Sequence, residues 1–268
     1  MLRKGDLTQG GIITTLLQFT LPMLAGSLLQ QCYNIADTLI VGQCIGANAL
    51  AAVGSAYTLM VFLISILLGL SMGSGTVFSL QYGAGDLSAL RRSIYVSLLL
   101  IGTVTILLNV AVFLWLDPIL RWLQVPYDIY SLMRNYLWII FWGIVFTFLY
   151  NFYAALLRAV GDSVTPLWFL AVSVVLNIGL DLFLILVLDQ GIEGAAVATV
   201  IAQGTAASGI LLYTYKTRPE LRLHREDMCF DRSSLREITS FSTLTCVQQS
   251  VMNLSLIHIS EPTRRRGI

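Results

Sequence analysis

Two aspartates, Asp37 and Asp181, lie inside long apolar runs, and no other acidic residue of the sequence does. A carboxylate within a membrane span is costly, so it is by default a candidate ion or proton site. The polar residues near them recur at helical spacing. Ser173, Asn177 and Asp181 follow i, i+4, i+8 and share one face, as do Thr199 and Gln203, and Gln30, Asn34 and Asp37 form a similar stripe. Polar stripes turn away from lipid. Two carboxylates with amide and hydroxyl oxygens make a hard-oxygen set suited to Na+ or H+. Burial disfavours a charged carboxylate and a second one nearby disfavours it further, which lets such a pair load and release a proton. Taken singly, Asn177, Thr199, Gln30 and Gln203 are equally well explained as interhelical hydrogen-bonding residues. The two aspartates together are not, because charge in hydrocarbon is so costly.

The elements that must position them are membrane helices. The chain has 268 residues, of which 56% are hydrophobic and 12% charged, whereas a soluble domain carries about 25% charged residues. The mean hydropathy is +0.78. These values describe an all-α polytopic membrane protein, with the lipid bilayer as its surroundings. A net charge of +1 gives no footprint for nucleic acid. The four cysteines, Cys32, Cys44, Cys229 and Cys246, show no metal-ligand spacing; Cys32 and Cys246 are expected to act as buried small hydrophobes.

Six spans of at least about 20 apolar residues can be drawn, over 13–41, 52–80, 94–115, 136–157, 165–188 and 194–214, and a seventh helix starts over 241–253. Residues 1–214 thus form a six-helix lobe and 215–240 a charged connector. Alternate loops hold eleven Lys and Arg on one side against Arg121 and Arg134 on the other. The positive-inside rule then puts the N-terminus and the connector in the cytoplasm. On that frame Asp37 lies roughly 6 Å, Asp181 roughly 10 Å and Thr199 roughly 8 Å below the outer ends of their spans, at 1.5 Å per residue. All three share one half of the membrane. Trp115, Trp122, Tyr127, Tyr130 and Tyr136 fall near the outer interface and are expected in its aromatic belt.

Further along, the residues carry a family resemblance. Pro22, Gln30, Tyr33–Asn34, Asp37, Val41–Gly42, Gly46 and Ala51–Ala52–Val53–Gly54, then Gln81 to Asp86 with Arg91–Arg92, then Leu157 to Asp162 with Thr165–Pro166, together resemble the multidrug and toxin extrusion (MATE) transporters. The resemblance covers residues 1 to about 253. It implies a fold of twelve helices in two six-helix lobes, of which this chain is the N-terminal lobe and its partner the missing C-terminal lobe. It implies an antiporter in the cytoplasmic membrane, with Na+ or H+ entering as small organic cations leave and no other cofactor. It implies a cation site at Asp37, Asn177, Asp181 and Thr199, the cluster that depth and spacing select, with Asn34, Gln30, Asn151 and Gln203 toward the cavity. It also implies that the first helix bends at Pro22, where proline interrupts the hydrogen-bond ladder.

Three other readings have less behind them. A flippase for lipid-linked saccharides would line its cavity with basic residues, and no Lys or Arg lies well inside a span. An intramembrane aspartyl protease is hinted at by Gly83, Gly85 and Asp86, which spell GxGD, but glycines at a helix end more often make a turn. A membrane scaffold leaves the two aspartates unexplained. The stretch from Leu254 to Arg264 resembles the translation of a sequencing adapter, so residues 254–268, with His258 and Arg264 to Arg266, are expected to be non-native and without function.

Overall fold

The computed structural model describes the backbone of residues 12–265 and the side chains of residues 13–252 other than Thr15 and Ser250. Among these residues the chain is all-helical, in the order α1 (Ile12–Cys44), α2 (Ala47–Gly83), α3 (Leu87–Trp122), α4 (Tyr127–Trp142), α5 (Ile144–Ala159), α6 (Val164–Leu182), α7 (Gly191–Thr217) and α8 (Arg232–Arg265). Hydrocarbon offers no hydrogen-bond partners, and a helix satisfies its own backbone. Four helices, α2, α3, α6 with the π-helical turn Phe183–Val187, and α7, are long and apolar enough to cross a membrane. The pair α4 and α5, bent by 46°, makes a fifth if it counts as one span. The sixth expected span is α1, 33 residues long, which carries Gln30, Gln31, Asn34 and Asp37 in its second half.

The bend between α4 and α5 sits at Gly143. The turn tightens there, with Gly143 N donating to Ile140 O at 2.8 Å. Asn109 Nδ2 donates to Phe141 O at 2.7 Å, so the irregular turn leaves that carbonyl satisfied. A Cβ at Gly143 would stand 2.9 Å from Gln203 Oε1 and 3.1 Å from Val200 Cγ2, so glycine is what lets α7 lie against the bend. Pro22, by contrast, sits inside an unbroken α1. It withholds the donor that the Gln18 carbonyl would otherwise take, without breaking the helix.

Several helices outrun the hydropathy boundaries. The connection expected over 116–135 shrinks to four residues between α3 and α4. Asp117 and Arg134 are helical and paired at 2.7 Å, and Tyr130 OH donates to Asp117 Oδ1 at 3.0 Å. Helix α3 kinks at Trp115 (φ −113°, ψ 18°) on the approach to Pro118, which removes the donor for the carbonyl one turn back. The seventh helix starts at Arg232 rather than near residue 241. Asp231 caps it, accepting from Ser233 N and Ser234 N at 3.1 Å each, and the Ser234 hydroxyl together with these two backbone donors holds its carboxyl below the usual range. The α8 backbone continues through residues 254–265; the side chains of the segment read as non-native lie outside the described residues.

The ion pairs reproduce the sidedness deduced from charge. Arg91 meets Asp227 at 2.9 Å and Arg218 meets Asp162 at 3.6 Å on one face, whereas Asp117–Arg134 and the Asn135–Glu193 hydrogen bond of 2.8 Å lie at the opposite ends of the helices. Asp86, the aspartate of the GxGD pattern, is exposed and caps α3 by accepting from Ala89 N at 2.9 Å. That capping bond is its structural role.

The connector is thereby pinned to the α3 end. Burial alone would raise the Asp227 carboxyl, but the His224 backbone N–H and the Arg91 guanidinium outweigh it and hold the group below its ordinary value of 3.8. A depressed carboxylate adds stability above its unfolded value and loses it as pH falls through the lower folded one. The protection of amides across 219–231, relative to their intrinsic exchange rate at each pH, is therefore expected to be high at neutral pH and to fall below about pH 4. Asp227→Asn should show the low protection already at pH 7. Unchanged exchange in that variant would refute the pinning.

Helix α8 lies along α2 in a seam built on glycine. A Cβ at Gly69 would stand 2.6 Å from Cys246 Cα, and one at Gly73 would meet the Ser242 backbone. Ser242 Oγ donates to Leu70 O at 3.2 Å and Cys246 Sγ to Ile66 O at 3.3 Å. The same geometry thus repeats one turn apart: a small side chain on α8 over a glycine of α2, donating to the carbonyl three residues before it. Small residues and interhelical hydrogen bonds are what hold helices together in lipid. All four cysteines are free; Cys32 is exposed rather than buried, and Cys246 is half-buried.

Candidate functional site

The site is assembled from α1, α4, α6 and α7. Asp37 on α1 is 9% exposed, Asn177 and Asp181 on α6 are 0% exposed, and Thr199 on α7 is 4% exposed. These four side chains therefore face inward, as does Ser173, which is buried and donates to Ala202 O at 3.0 Å; further along the stripes Asn34 and Gln203 are half-buried and Gln30 is exposed. Asn177 Nδ2 donates to Thr199 Oγ1 at 3.3 Å, tying α6 to α7. Immediately after Asp181 the helix widens into the π-helical turn Phe183–Val187, a local irregularity often found at functional positions.

The Asp37 and Asp181 carboxyls are near neighbours, close enough for each to act on the other's ionisation. As carboxylates neither can donate to the other. Asp37 Oδ1, both Asp181 oxygens and Asn177 Oδ1 are accordingly buried without a donor among the described residues. Buried acceptors without donors are costly, more so when charged. Oxygens of this kind converging from two helices suit a cation, whether a proton on one carboxyl or Na+ among several. Among the described residues no three His, Cys, Asp or Glu side chains come together as a metal site. The cluster is two carboxylates completed by neutral oxygens.

Two tyrosines join it. Tyr33, one turn before Asp37 on α1, places its hydroxyl 3.2 Å from Thr199 Oγ1. Tyr136 on α4 is 5% exposed and near enough to Asp37 and Asp181 for their charges to act on it. Its expected place in the interfacial belt is wrong. Because α4 starts at Tyr127, Tyr136 is carried more than two turns down the helix and into the core. Tyr130, bonded to Asp117, is half-buried as well. Trp115, Trp122 and Tyr127 are exposed as a belt requires. The N-terminal signal of α4, Pro126 followed by Asp128 in the first turn, is what could have corrected the reading.

Beside the cluster lies a cavity of ≈ 320 Å³ between α1, α2, α5, α6 and α7. Gln30, Asn34, Asn151 and Gln203, expected at a cavity, all line it, with Tyr33, Tyr57, Tyr150 and apolar side chains such as Ile64 and Leu68. Asp37, Asn177, Asp181 and Thr199 do not line it. The cavity wall is neutral, with no Lys, Arg, Asp or Glu among its described lining residues. Several of its polar groups are already paired. Asn34 Nδ2 donates to Gln31 Oε1 at 3.1 Å, Thr147 Oγ1 to Gln203 Oε1 at 2.9 Å, and Asn151 Nδ2 to Thr147 O at 2.8 Å. Gln203 thus also ties α7 to α5, whereas the Asn151 bond stays within α5.

Comparison with known proteins bears on this arrangement. The family model described as MatE matches residues 22–183. The chain is 37% identical over 211 residues to the probable multidrug resistance protein YpnP of Bacillus subtilis, covering 79% of this chain and 47% of that protein. It is 31% identical over 213 residues to the multidrug export protein MepA of Staphylococcus aureus, covering 76% and 46% respectively. Among solved structures, a MATE protein in complex with MaL6 superposes with a TM-score of 0.90 at 22% identity, covering 97% of this chain and 58% of that one. A MATE protein in the bent conformation superposes with a TM-score of 0.88 at 22% identity, covering 96% and 57%. The chain spans about half the length of the curated relatives it matches.

Proposed function

The chain belongs to the MatE family, and on that premise we propose that it is the N-terminal lobe of a cation-coupled antiporter that exports small organic cations across the cytoplasmic membrane. The observation that carries this reading is the pairing of two compartments. One is a buried cluster of two carboxylates with unfilled oxygens. The other is a neutral, tyrosine-walled cavity beside it. Aromatic faces attract organic cations without fixing their shape, and amide groups adapt to varied partners. A lobe with this cavity suits hydrophobic monocations better than phosphates. A flippase for phosphate-linked saccharides would need basic lining, and the described lining contains none.

In this mechanism Na+ or H+ reaches Asp37 and Asp181 from the outside, with the N-terminus in the cytoplasm as the positive-inside rule predicts. Asp37 is the principal coupling carboxylate, and Asp181, Asn177 and Thr199 complete the shell. An entering cation neutralises one charge of the pair and removes its repulsion, which favours a more compact lobe. The second lobe closes the translocation path from the other side, and α8 begins it. Pro22 leaves α1 with a missing ladder bond at which it bends.

Ethidium efflux from cells expressing the full-length protein tests the reading, with Na+ and pH gradients imposed one at a time. Efflux driven by one of the two gradients is the expected result, and it names the ion. Efflux indifferent to both would overturn cation coupling.

A further inference from the structure

Tyr33 belongs to both compartments. Its side chain lines the neutral cavity, and its hydroxyl lies 3.2 Å from Thr199 Oγ1. The same oxygen accepts from Asn177 Nδ2 at 3.3 Å. Asp37 follows Tyr33 by one turn on the same face of α1. None of the four cation residues lines the cavity, so a cation held among them makes no direct contact with a molecule in the cavity. Some structural element must carry the information between them. Other polar lining residues are tied elsewhere: Asn34 to Gln31, Gln203 to Thr147, and Tyr150 to the Pro166 carbonyl at 3.0 Å.

We infer that Tyr33 is the positioning residue that makes occupancy of the cation cluster and occupancy of the cavity oppose one another. The inference rests on the cation-coupled reading above and adds its transmission step. A hydroxyl oxygen has two lone pairs. Either hydroxyl can donate in the Tyr33–Thr199 bond; with Tyr33 donating beside Asn177, both lone pairs of Thr199 Oγ1 are filled. A cation that takes that oxygen as a ligand must displace one donor. Asn177 has its own oxygen in the cluster and stays; the Tyr33 hydroxyl is released. Freed of its anchor, the ring swings into the cavity it lines. A molecule packed on that ring, in turn, holds the hydroxyl on Thr199 and keeps the oxygen from the cation. Linkage makes the two effects equal in size, since each ligand weakens the other by the same factor.

The test is ethidium binding, read by fluorescence polarisation, to the purified full-length protein in lipid nanodiscs. It is titrated with Na+ at fixed pH and with pH in the absence of Na+. Wild type is expected to lose about tenfold in ethidium affinity when the coupling ion saturates, within the usual range of coupling between two sites. Tyr33→Phe, whose ring is unanchored with or without the ion, is expected to bind ethidium in the absence of the ion about as weakly as ion-saturated wild type does, while the ion-induced weakening falls to about twofold or less. Tyr33→Leu removes the ring as well and is expected to lose about tenfold in ion-free affinity, of the order of one aromatic–cation contact. A Tyr33→Phe protein that keeps the full ion-induced weakening overturns the inference. So does one that no longer binds ethidium at all, because the hydroxyl would then serve the cavity itself. Ion dependence that survives Tyr33→Phe but vanishes in Asp37→Asn removes only this step and leaves the cation reading intact. No ion dependence in wild type removes both.

Discussion

Asp37→Asn is expected to abolish gradient-driven efflux while leaving the protein folded and at least as stable as wild type. The two halves of that expectation have one cause. Asp37 and Asp181 are buried near neighbours, and three of their oxygens have no donor. Holding such groups ionised inside a low-dielectric lobe is unfavourable for folding. Asparagine has the same shape, no charge and an amide that can donate to Asp181, so the substitution relieves a local cost. Removing an uncompensated buried charge is often neutral or stabilising for this reason. Function moves the other way. A single carboxylate no longer makes the pair whose repulsion a cation relieves, and differential affinity for the cation is what drives the conformational change. A loss of about 100-fold in ion-driven efflux rate follows if the coupling energy lies at the upper end of its usual range. Thermal unfolding of the purified protein, measured beside dye efflux, separates the two. Wild-type efflux by Asp37→Asn would overturn the site, and a large fall in unfolding temperature would show that the aspartate is structural.

Gly73→Leu is expected to break the packing of α8 on α2, and with it the assembly of whatever follows α8. The ideal Cβ position at Gly73 already falls on the Ser242 backbone. A leucine there cannot be absorbed by a side-chain rotation, because what it meets is main chain. Overpacking a tight contact costs about 1–3 kcal/mol even where side chains can yield, and here the helices must separate. The hydrogen bonds from Ser242 to Leu70 O and from Cys246 to Ile66 O would go with the seam. Gly54→Leu on the same helix is the matched control, since nothing lies within 4 Å of its Cβ position. A short bis-maleimide cross-link between cysteines introduced at Met72 and Gln249, whose side-chain ends touch at 3.2 Å, reports the seam directly. It should form in the Gly54→Leu background and fail in the Gly73→Leu background. Equal cross-linking in both would show that the seam tolerates bulk and does not set the docking of α8.

Much of the site was legible because membrane cost and helical periodicity act on each helix separately. A carboxylate in an apolar run needs an interior face, and i, i+4 spacing states which face that is. Asp37, Asn177, Asp181 and Thr199 emerge from those two rules, and the depth estimate puts Asp37, Asp181 and Thr199 in the same half of the membrane. The errors have a common origin in the polar ends of helices. Hydropathy ends a span where charges begin, but Asp117 and Arg134 neutralise each other across two helices, so both helices continue past them. That mutual pairing hides nine residues of α4 and places Tyr136 in the belt on paper and against the carboxylates in the structure. The start of α8 was missed in the same way, although Asp231 followed by Ser233 and Ser234 is a readable cap.

The sequence by itself determined that this protein is a polytopic bundle of helices, which loops share a side, and which residues on α1, α6 and α7 turn inward. Those properties follow from the hydrocarbon solvent and from the 3.6-residue turn. Only the tertiary structure decided that the two aspartates, Asn177 and Thr199 stand apart from the cavity, that Tyr33 spans the two, and that α8 rests on Gly69 and Gly73. Each depends on the rotation and spacing of one helix against another, set by many small side-chain contacts at once. No periodicity within a single helix records that relation.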